Sequence, residues 1–512
     1  MSKKEFEALR ELVYFVDKNR VKEIDIVGEN GNGGDHSRLD EFYEGILSSR
    51  FENDKQAAEG LEFSGPRNNM YKKLRTSLQK RLLNTVFFID LKGNAYTDRQ
   101  KTYYEIQKNW AATRVLIGKN ARTIGIRLCH KILKEAKKYE FSEIVLDIAR
   151  YLRLHYGTRE GDVNKFEKYN KLYRKYARIW QDENEVEEKY AELITRYVNN
   201  KATQEESNRR AAEYYEELKH RLKRSKTYRT QFCGFLIRLI RHSSIHDYEK
   251  TKVVCEEAIA LFESKPYTAS VPLQVFYYQQ LICYTQLKQY EEGRKAAEQC
   301  LLQLEKGSFN WFKYQELFLI FLMHTGRYQE AYKVFSETVG HRKLSYMPQS
   351  VRETWRIIEA YVHYLVDVGK VQPEEGDDRF TKFRLGKFLN ETPLFSKDRR
   401  GMNIPILIIQ ILFMIQQERY DRAIDRIEAI EKYCSRYLRK DDTFRSNCFI
   451  KMLLQIPASS FHKAAVLRKA EKYRKKLDSV PLDIANQTVE IEIIPYGKLW
   501  EMALETLDYE FH

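Results

Sequence analysis

Apolar residues recur every three to four positions along most of this chain, the spacing that places them on one face of an α-helix. Downstream of residue 228 the helical segments come in pairs, which predicts a run of helical hairpins. The predicted hairpins cover Tyr228–Phe262, Pro272–Leu304, Trp311–Val339, Ile404–Tyr437 and Thr443–Leu477, with a further pair formed by Arg352–Val368 and Asp378–Asn390.

The same periodicity predicts longer helices between residues 96 and 227. They cover Asp98–Lys119, Arg122–Tyr139, Phe141–Tyr156, Val163–Ile179, Asn184–Tyr197 and Gln204–Lys226. Residues 1–95 are more varied. Val21–Val27 alternates apolar and polar residues and predicts one strand, whereas Ser37–Ser48, Lys55–Leu61 and Asn69–Phe88 predict helices.

A short sequence motif recurs in the hairpin region: a polar turn, a tyrosine, and the start of an amphipathic helix. Its tyrosines are Tyr248, Tyr290, Tyr328 and Tyr420, separated by 42, 38 and 92 residues, and the last interval is about two steps. A repeat of this length predicts a stack of hairpins in which each buries its apolar face against its neighbours.

One unit of the repeat, with Gly326, Tyr328, Ala331 and Phe335, resembles the tetratricopeptide repeat. The resemblance covers residues 228–477 and extends more weakly to 122. It departs from the family in its longer steps, in Thr251 and Gly293 at the small-residue position, and in lacking the terminal proline. It implies an all-α, tetratricopeptide-like helical-hairpin solenoid, fronted by a small mixed N-terminal domain.

We therefore predict four regions: a small N-terminal domain (1–95), a long-helix array (96–227), tetratricopeptide-like repeats (228–480) and a C-terminal cap (481–512). The resemblance implies a non-catalytic scaffold that binds a protein or peptide on the concave face of the array. The first helices of the hairpins are expected to line that face. The candidate contact residues are Tyr277, Gln280, Tyr284, Lys313, Gln315, Trp355 and Glu359.

The net charge of +15 permits an anionic partner, but acidic residues are interleaved with basic ones along most of the chain. Seven cysteines without paired spacing indicate a reducing compartment. There is no secretory pattern at the N-terminus, and the most apolar run, Ile404–Ile415, is too short to span a bilayer. We expect a cytoplasmic protein that needs no cofactor or metal and binds no membrane; the sequence leaves its oligomeric state open.

The helices predicted over 55–61 and 69–88 match a helix-turn-helix, and this gives a second hypothesis: a ligand-sensing regulator that binds DNA through its N-terminal domain. The alternative is an amphipathic hairpin whose charges are solvated. The candidate nucleic-acid-binding residues are Lys72, Lys73, Arg75, Lys80 and Arg81, with Thr76, Ser77 and Gln79 able to read base edges.

Three further motifs are weaker indications of a functional site. The glycine-rich stretch Gly28–Gly34 follows a predicted strand but lacks the Lys-Ser/Thr ending of a phosphate loop. His242 and His246 have a metal-binding spacing without further ligands. Arg241 with His246, and Arg150 with His155, resemble the arginine–histidine motif of helical ribonucleases of the HEPN class, which gives a third hypothesis.

Overall fold

The computed structural model describes residues 6, 9, 10, 13, 38–86, 98–198, 204–374, 403–416, 444–480 and 492–508. All regular secondary structure within these ranges is helical. Four predicted features lie outside the described residues: the strand at 21–27, the glycine-rich stretch, the motif around Tyr420 and the helix over 378–390.

The described residues form nineteen α-helices. They are α1 Arg38–Leu47, α2 Asp54–Gly60, α3 Asn69–Val86, α4 Asp98–Gly118, α5 Arg122–Lys138, α6 Ser142–His155, α7 Val163–Leu193, α8 Gln204–Arg224, α9 Tyr228–Ser243, α10 Tyr248–Glu263, α11 Ser270–Leu287, α12 Tyr290–Leu302, α13 Phe309–His324, α14 Tyr328–Val339, α15 Gln349–Asp367, α16 Asn403–Gln416, α17 Phe444–Leu453, α18 Lys463–Asp478 and α19 Tyr496–Glu505. The chain divides into two compact units, residues 1–148 and 149–512.

In the first unit, helices α1–α3 enclose a small apolar core. Phe42, Tyr71, Leu78 and Leu82 are fully buried there, together with residues of α2. An Asn residue caps both α2 and α3, since Asn53 and Asn68 accept hydrogen bonds from backbone N–H groups in the first turn of each helix. The core and the caps fix the directions of α2 and α3.

The second unit opens with α7, a continuous helix of 31 residues. The two helices predicted over 163–179 and 184–197 were therefore wrong as separate elements. The polar run that suggested a break is buried instead: Asp182 accepts hydrogen bonds from Arg224 and Ser225, and Glu183 accepts one from Thr227. Burial alone would raise the pKa of Asp182, but these hydrogen bonds outweigh it and lower that pKa.

Helices α9–α14 form three successive hairpins, in which each helix packs against the next in the chain. The first helices also pack on one another, α11 against α13 and α13 against α15. The hairpin bounds predicted at Tyr228–Phe262, Pro272–Leu304 and Trp311–Val339 are confirmed to within two residues. Their aromatic content fills the wedges between hairpins, as where Phe262 stacks on Phe276 with ring centroids 6.2 Å apart.

Each hairpin turns through the same backbone device. His246, Lys288, Gly326 and Gly369 follow the first helix with φ between +55° and +74°, at steps of 42, 38 and 43 residues. The next N–H in each case bonds the carbonyl five residues back, for example Gln289 N to Tyr284 O and Arg327 N to Leu322 O. This hydrogen-bonding pattern is the Schellman motif. At His246, Lys288 and Gly326 it places the tyrosine of the motif at the start of the second helix.

Candidate interaction surfaces

The turn residues give a common register for the first helices of the hairpins. Counting back 17, 13, 10, 6 and 2 residues from each turn residue selects one helical face. On α11 this face, which we call the inner stripe, consists of Val271, Val275, Tyr278, Ile282 and Gln286. Val271 is 40% exposed and the other four side chains are partly exposed, as are Gln274, Gln279 and Leu287, while the rest of α11 is buried. The stripe is therefore apolar yet accessible.

The inner stripe of α13 is more covered. Phe309 at its start is 49% exposed, Lys313 and His324 are partly exposed, and Glu316 and Ile320 are buried. Lys313 Nζ donates to Glu316 Oε2 at 2.6 Å, so the lysine neutralises a carboxylate that would otherwise be buried without a counter-charge.

On α15 the stripe is charged. Arg352, Arg356 and Asp367 are exposed, Glu359 is partly exposed and His363 is buried. Across α11, α13 and α15 the equivalent positions thus change from apolar to charged, with two arginines in the N-terminal half of α15 and two carboxylates in its C-terminal half. Such a surface suits a segment with one apolar face and acidic residues at one end.

The structure places the seven predicted contact residues in two groups. Lys313 and Glu359 belong to the inner stripe. The other five are buried between helices, with exposed fractions of 7% or less: Tyr277, Gln280, Tyr284, Gln315 and Trp355. Because these five side chains are buried, a partner could contact them only if the helices rearranged. Tyr277, for example, donates its hydroxyl to Glu263 of the preceding helix.

The difference between the predicted and the observed contact residues has a simple physical cause. First helices are enclosed on several sides, so apolar and aromatic side chains occur around most of their circumference and the sequence does not reveal which face is open. Tyr278 lies on the inner stripe where Tyr277 was expected, and Arg356 lies there where Trp355 was expected. The predicted helices remain candidates, with their contact positions shifted by one or two residues.

A segment near the C-terminus lies against several first helices. His324, at the end of α13, donates its Nε2–H to the carbonyl oxygen of Glu492 at 2.6 Å, because a carbonyl can only accept. Lys370, just after α15, pairs with Glu505 at 2.9 Å, and α19 packs on α16. Residues 492–508 therefore contact α13, α16 and the residue that follows the turn after α15. An end cap would touch only the last hairpin.

A buried ion pair anchors this segment. Arg445 of α17 donates through Nε and Nη2 to the two carboxylate oxygens of Glu492, at 3.0 and 2.8 Å. Glu492 is fully buried and also accepts from the backbone N–H of Tyr496 at 2.8 Å. The Tyr496 ring stacks on Phe449 with centroids 4.4 Å apart. The sequence pattern did not predict this cluster, because Arg445 and Glu492 lie 47 residues apart.

The first unit exposes a different surface, on α3. The positions farthest from its buried side are Asn69, Lys73, Thr76, Lys80 and Asn84, at offsets of 0, 4, 7, 11 and 15 residues, and all are exposed. Lys72 and Arg81 flank this ridge and are also exposed. The 18-residue helix contains no acidic residue. Of the five predicted nucleic-acid-binding residues, four are thus available at one surface.

Arg75 has another role. It pairs with Asp54 of α2 at 3.1 Å, both side chains are about 15% exposed, and Tyr71 donates its hydroxyl to the same carboxylate at 2.7 Å. Burial and this hydrogen bond raise the pKa of Tyr71. Arg75 therefore holds α2 against α3, and we remove it from the contact set.

A cleft of about 950 Å³ adjoins the N-terminal ends of α2 and α3. Three basic side chains line it, Lys55, Arg67 and Lys72, together with the capping residues Asn53 and Asn68 and the carboxylates of Glu52 and Asp54. Since Asp54 is paired with Arg75, the cleft continues the basic surface of α3 around its N-terminal end.

The histidine motifs are engaged in local contacts. His155 is 8% exposed, with Nε2 2.7 Å from Glu160 Oε1. His246 Nδ1 lies 3.0 Å from the Tyr248 hydroxyl, within the hairpin turn. Burial, followed by the charge of Arg241, lowers the pKa of His242. The contacts of His155 and His246 are local and structural, and they lend no support to a ribonuclease site.

Within the described ranges, no helix is long and apolar enough to cross a membrane. Comparison of the chain with protein-family models, with curated proteins and with solved structures finds no match.

Proposed function

We propose that residues 228–480 form a tetratricopeptide-like solenoid and that the chain is a non-catalytic scaffold. In this proposal the inner stripes of the first helices bind an amphipathic helical segment of a partner protein. The proposal rests on the packing of the hairpins, on the character of the stripes, and on the segment of this chain that already lies against the first helices.

Contacts between neighbouring repeats support the solenoid. At the turn edge, Lys252 Nζ donates to Gln289 at 3.3 Å, and Tyr290 donates to Glu330 at 2.7 Å. Gln329 and Gln372 continue the series with two hydrogen bonds of 2.8 and 2.9 Å. Each joins one hairpin to the next, across 37 to 43 residues. Such nearest-neighbour bonding is typical of repeat arrays.

The observation that carries the binding proposal is the position of α19. This helix buries Tyr496, Leu499, Trp500 and Ala503, at offsets of 0, 3, 4 and 7 residues, and packs on α16. The helix α16, the first of a predicted hairpin, thus accepts one amphipathic helix from the chain itself. The stripe of α11 has the same kind of apolar side chains and is left accessible, which favours a helix from another protein there.

Charge further defines the partner. Arg352 and Arg356 are exposed on α15, whereas the stripe of α11 is apolar. We therefore expect a partner helix with apolar residues at i, i+4 and i+7 and acidic residues at one end. The charges would set its direction and its rate of association, and the apolar anchors most of its affinity.

The test compares two variants of the tagged full-length chain in its source cells, after nuclease treatment of the lysate. Tyr278→Asp with Ile282→Asp places two carboxylates in the inner stripe. Val253→Asp is the control, because Val253 is 46% exposed on the second helix α10. Partners identified with the unmodified chain are then purified and titrated against all three proteins.

We expect at least tenfold weaker binding of a purified partner to the stripe variant and unchanged binding to the control, since truncating or charging a central apolar anchor costs about 2 kcal/mol or more. Equal affinity of all three proteins for every purified partner would remove the inner stripe as the binding surface.

A further inference from the structure

The basic ridge of α3 carries an inference that goes beyond the scaffold. We propose that residues 38–86 bind duplex DNA, with α3 in the major groove and the cleft at its N-terminal end against the phosphate backbone. The argument uses the composition of the ridge, its support by α1 and α2, and the dimensions of the two nucleic-acid duplexes.

The first step is charge. The α3 ridge and its flanks expose Lys72, Lys73, Lys80 and Arg81, and the helix has no carboxylate to neutralise them. Many basic residues elsewhere form pairs with acidic ones along the helices, such as Arg209 with Glu213. A helix face with only positive charge favours a polyanion, because each phosphate contact releases bound counterions.

The second step is chemistry along the ridge. Beside the lysines lie Asn69, Thr76, Ser77 and Asn84, which are exposed and uncharged. Asparagine pairs with adenine edges, lysine with guanine edges, and hydroxyls with either. The ridge therefore combines groups that bind phosphates with groups that read bases.

The third step is support. Tyr71, Leu78 and Leu82 fix the opposite side of α3 in the core, and the Asp54–Arg75 pair holds α2 against it. A short helix packed across the start of a longer exposed helix is the arrangement by which helix-turn-helix proteins present a recognition helix. The linking residues 61–68 are more numerous than in the shortest such turns, and they contribute Arg67 to the cleft.

The fourth step distinguishes duplex DNA from other nucleic acids. The major groove of B-form DNA admits an α-helix, whereas the deep, narrow groove of A-form RNA does not. Single strands are bound by stacking on aromatic rings. The one aromatic residue of α3, Tyr71, is buried, so the described ridge offers no stacking surface.

The experiment titrates the full-length chain against a fluorescein-labelled 30-base-pair duplex of mixed sequence, by anisotropy, between 50 and 300 mM salt. The variant Lys73→Gln with Lys80→Gln removes two charges from the ridge. The control variant Lys131→Gln with Lys134→Gln removes two exposed charges from α5 in the same unit. Circular dichroism verifies that all three proteins are folded.

We expect micromolar binding of the duplex at moderate salt and a linear fall of log affinity with log salt concentration. The ridge variant should bind at least tenfold more weakly, with a salt slope smaller by about 2, and the control should match the unmodified chain.

Three results would overturn the proposal. They are the absence of duplex binding at 50 mM salt, an equal loss of affinity in both variants, and tighter binding of a single-stranded or RNA probe of the same length. The second would show that binding follows the overall charge of +15 and not the ridge.

Discussion

Gly293 shows how a single residue sets the distance between two helices. A Cβ atom at this position would lie 2.5 Å from the ring of Phe321 and 3.0 Å from Tyr284. The Phe321 ring in turn stacks on Tyr290, with centroids 6.1 Å apart. Glycine therefore permits the close crossing of α12 and α13, at the repeat position where Ala331 lies in the next hairpin.

Replacing Gly293 with valine should lower the free energy of unfolding by about 1–3 kcal/mol, because the added atoms force aromatic side chains out of a packed interface. Urea unfolding followed by tryptophan fluorescence measures the change. Gly497→Ala is the matched control. A Cβ at Gly497 has open space, and alanine is the better helix former, so its stability should be unchanged or higher. Unchanged stability of Gly293→Val would show that α12 and α13 are farther apart than described.

The Arg445–Glu492 pair offers a second residue-scale test. Removing one member leaves the other buried without a counter-charge, so Arg445→Met and Glu492→Gln should each cost about 3–5 kcal/mol of stability. The double variant should cost less than the sum, with a coupling energy of about 1–3 kcal/mol from the mutant cycle. Strict additivity would mean that the two side chains do not interact in solution.

His324 makes the contact of the C-terminal segment sensitive to pH. Burial lowers the pKa of His324 below its usual 6.5, although the Glu492 carboxylate opposes that shift; Arg445 and Lys288 also act to lower the pKa. A depressed folded-state pKa means that the unfolded state binds more protons. The stability from this contact is thus complete above about pH 6.5 and is lost as the pH falls below that value.

Hydrogen exchange of the amides of α19 should therefore be faster at pH 5.5 than at pH 7.5, after correction for the intrinsic effect of pH. His324→Gln keeps an N–H donor for the Glu492 carbonyl but does not titrate, and it should flatten this dependence. The same pH dependence in both proteins would exclude His324 as its source.

At the scale of elements, the left-handed turn is the feature that repeats. Gly326 has φ +74° and open space for a side chain, so Gly326→Ala should lose about 1 kcal/mol of stability from the backbone alone. Lys288 adopts the same conformation with φ +55°, so Lys288→Gly should gain a comparable amount. Thermal unfolding measures both. A matching sign for the two substitutions would contradict a shared turn geometry.

Helices were the most predictable level of this structure. A tyrosine follows the turns at His246, Lys288 and Gly326. Helices α10, α12 and α14 therefore begin at the residues that the tyrosine motif indicates. The boundary expected near residue 180 failed, because the polar side chains of Asp182 and Glu183 bond to residues some 40 positions away, which local periodicity does not report. Local patterns predict helices well and long-range polar contacts poorly.

The candidate surfaces were less predictable than the helices. The charge of α3 is legible in the sequence, and four of its five candidate residues are exposed together. The assignment of Arg75 failed because its partner, Asp54, lies 21 residues away. On α11 and α15 the exposed stripe is offset around the helix from the predicted contact residues. Helices enclosed by neighbours have no polar side that marks the solvent.

At the scale of the whole molecule, the account depends on the contact between residues 492–508 and the first helices of several hairpins. The second helices α10 and α12 should be independent of that segment. A final cap of the array would instead protect only α17 and α18.

The most direct test is hydrogen exchange by mass spectrometry on the full chain and on a chain that ends at residue 480. The account predicts faster exchange after truncation in α13, α15, α16 and α17, with α10 and α12 unchanged. Faster exchange confined to α17 and α18, or no change at all, would contradict it.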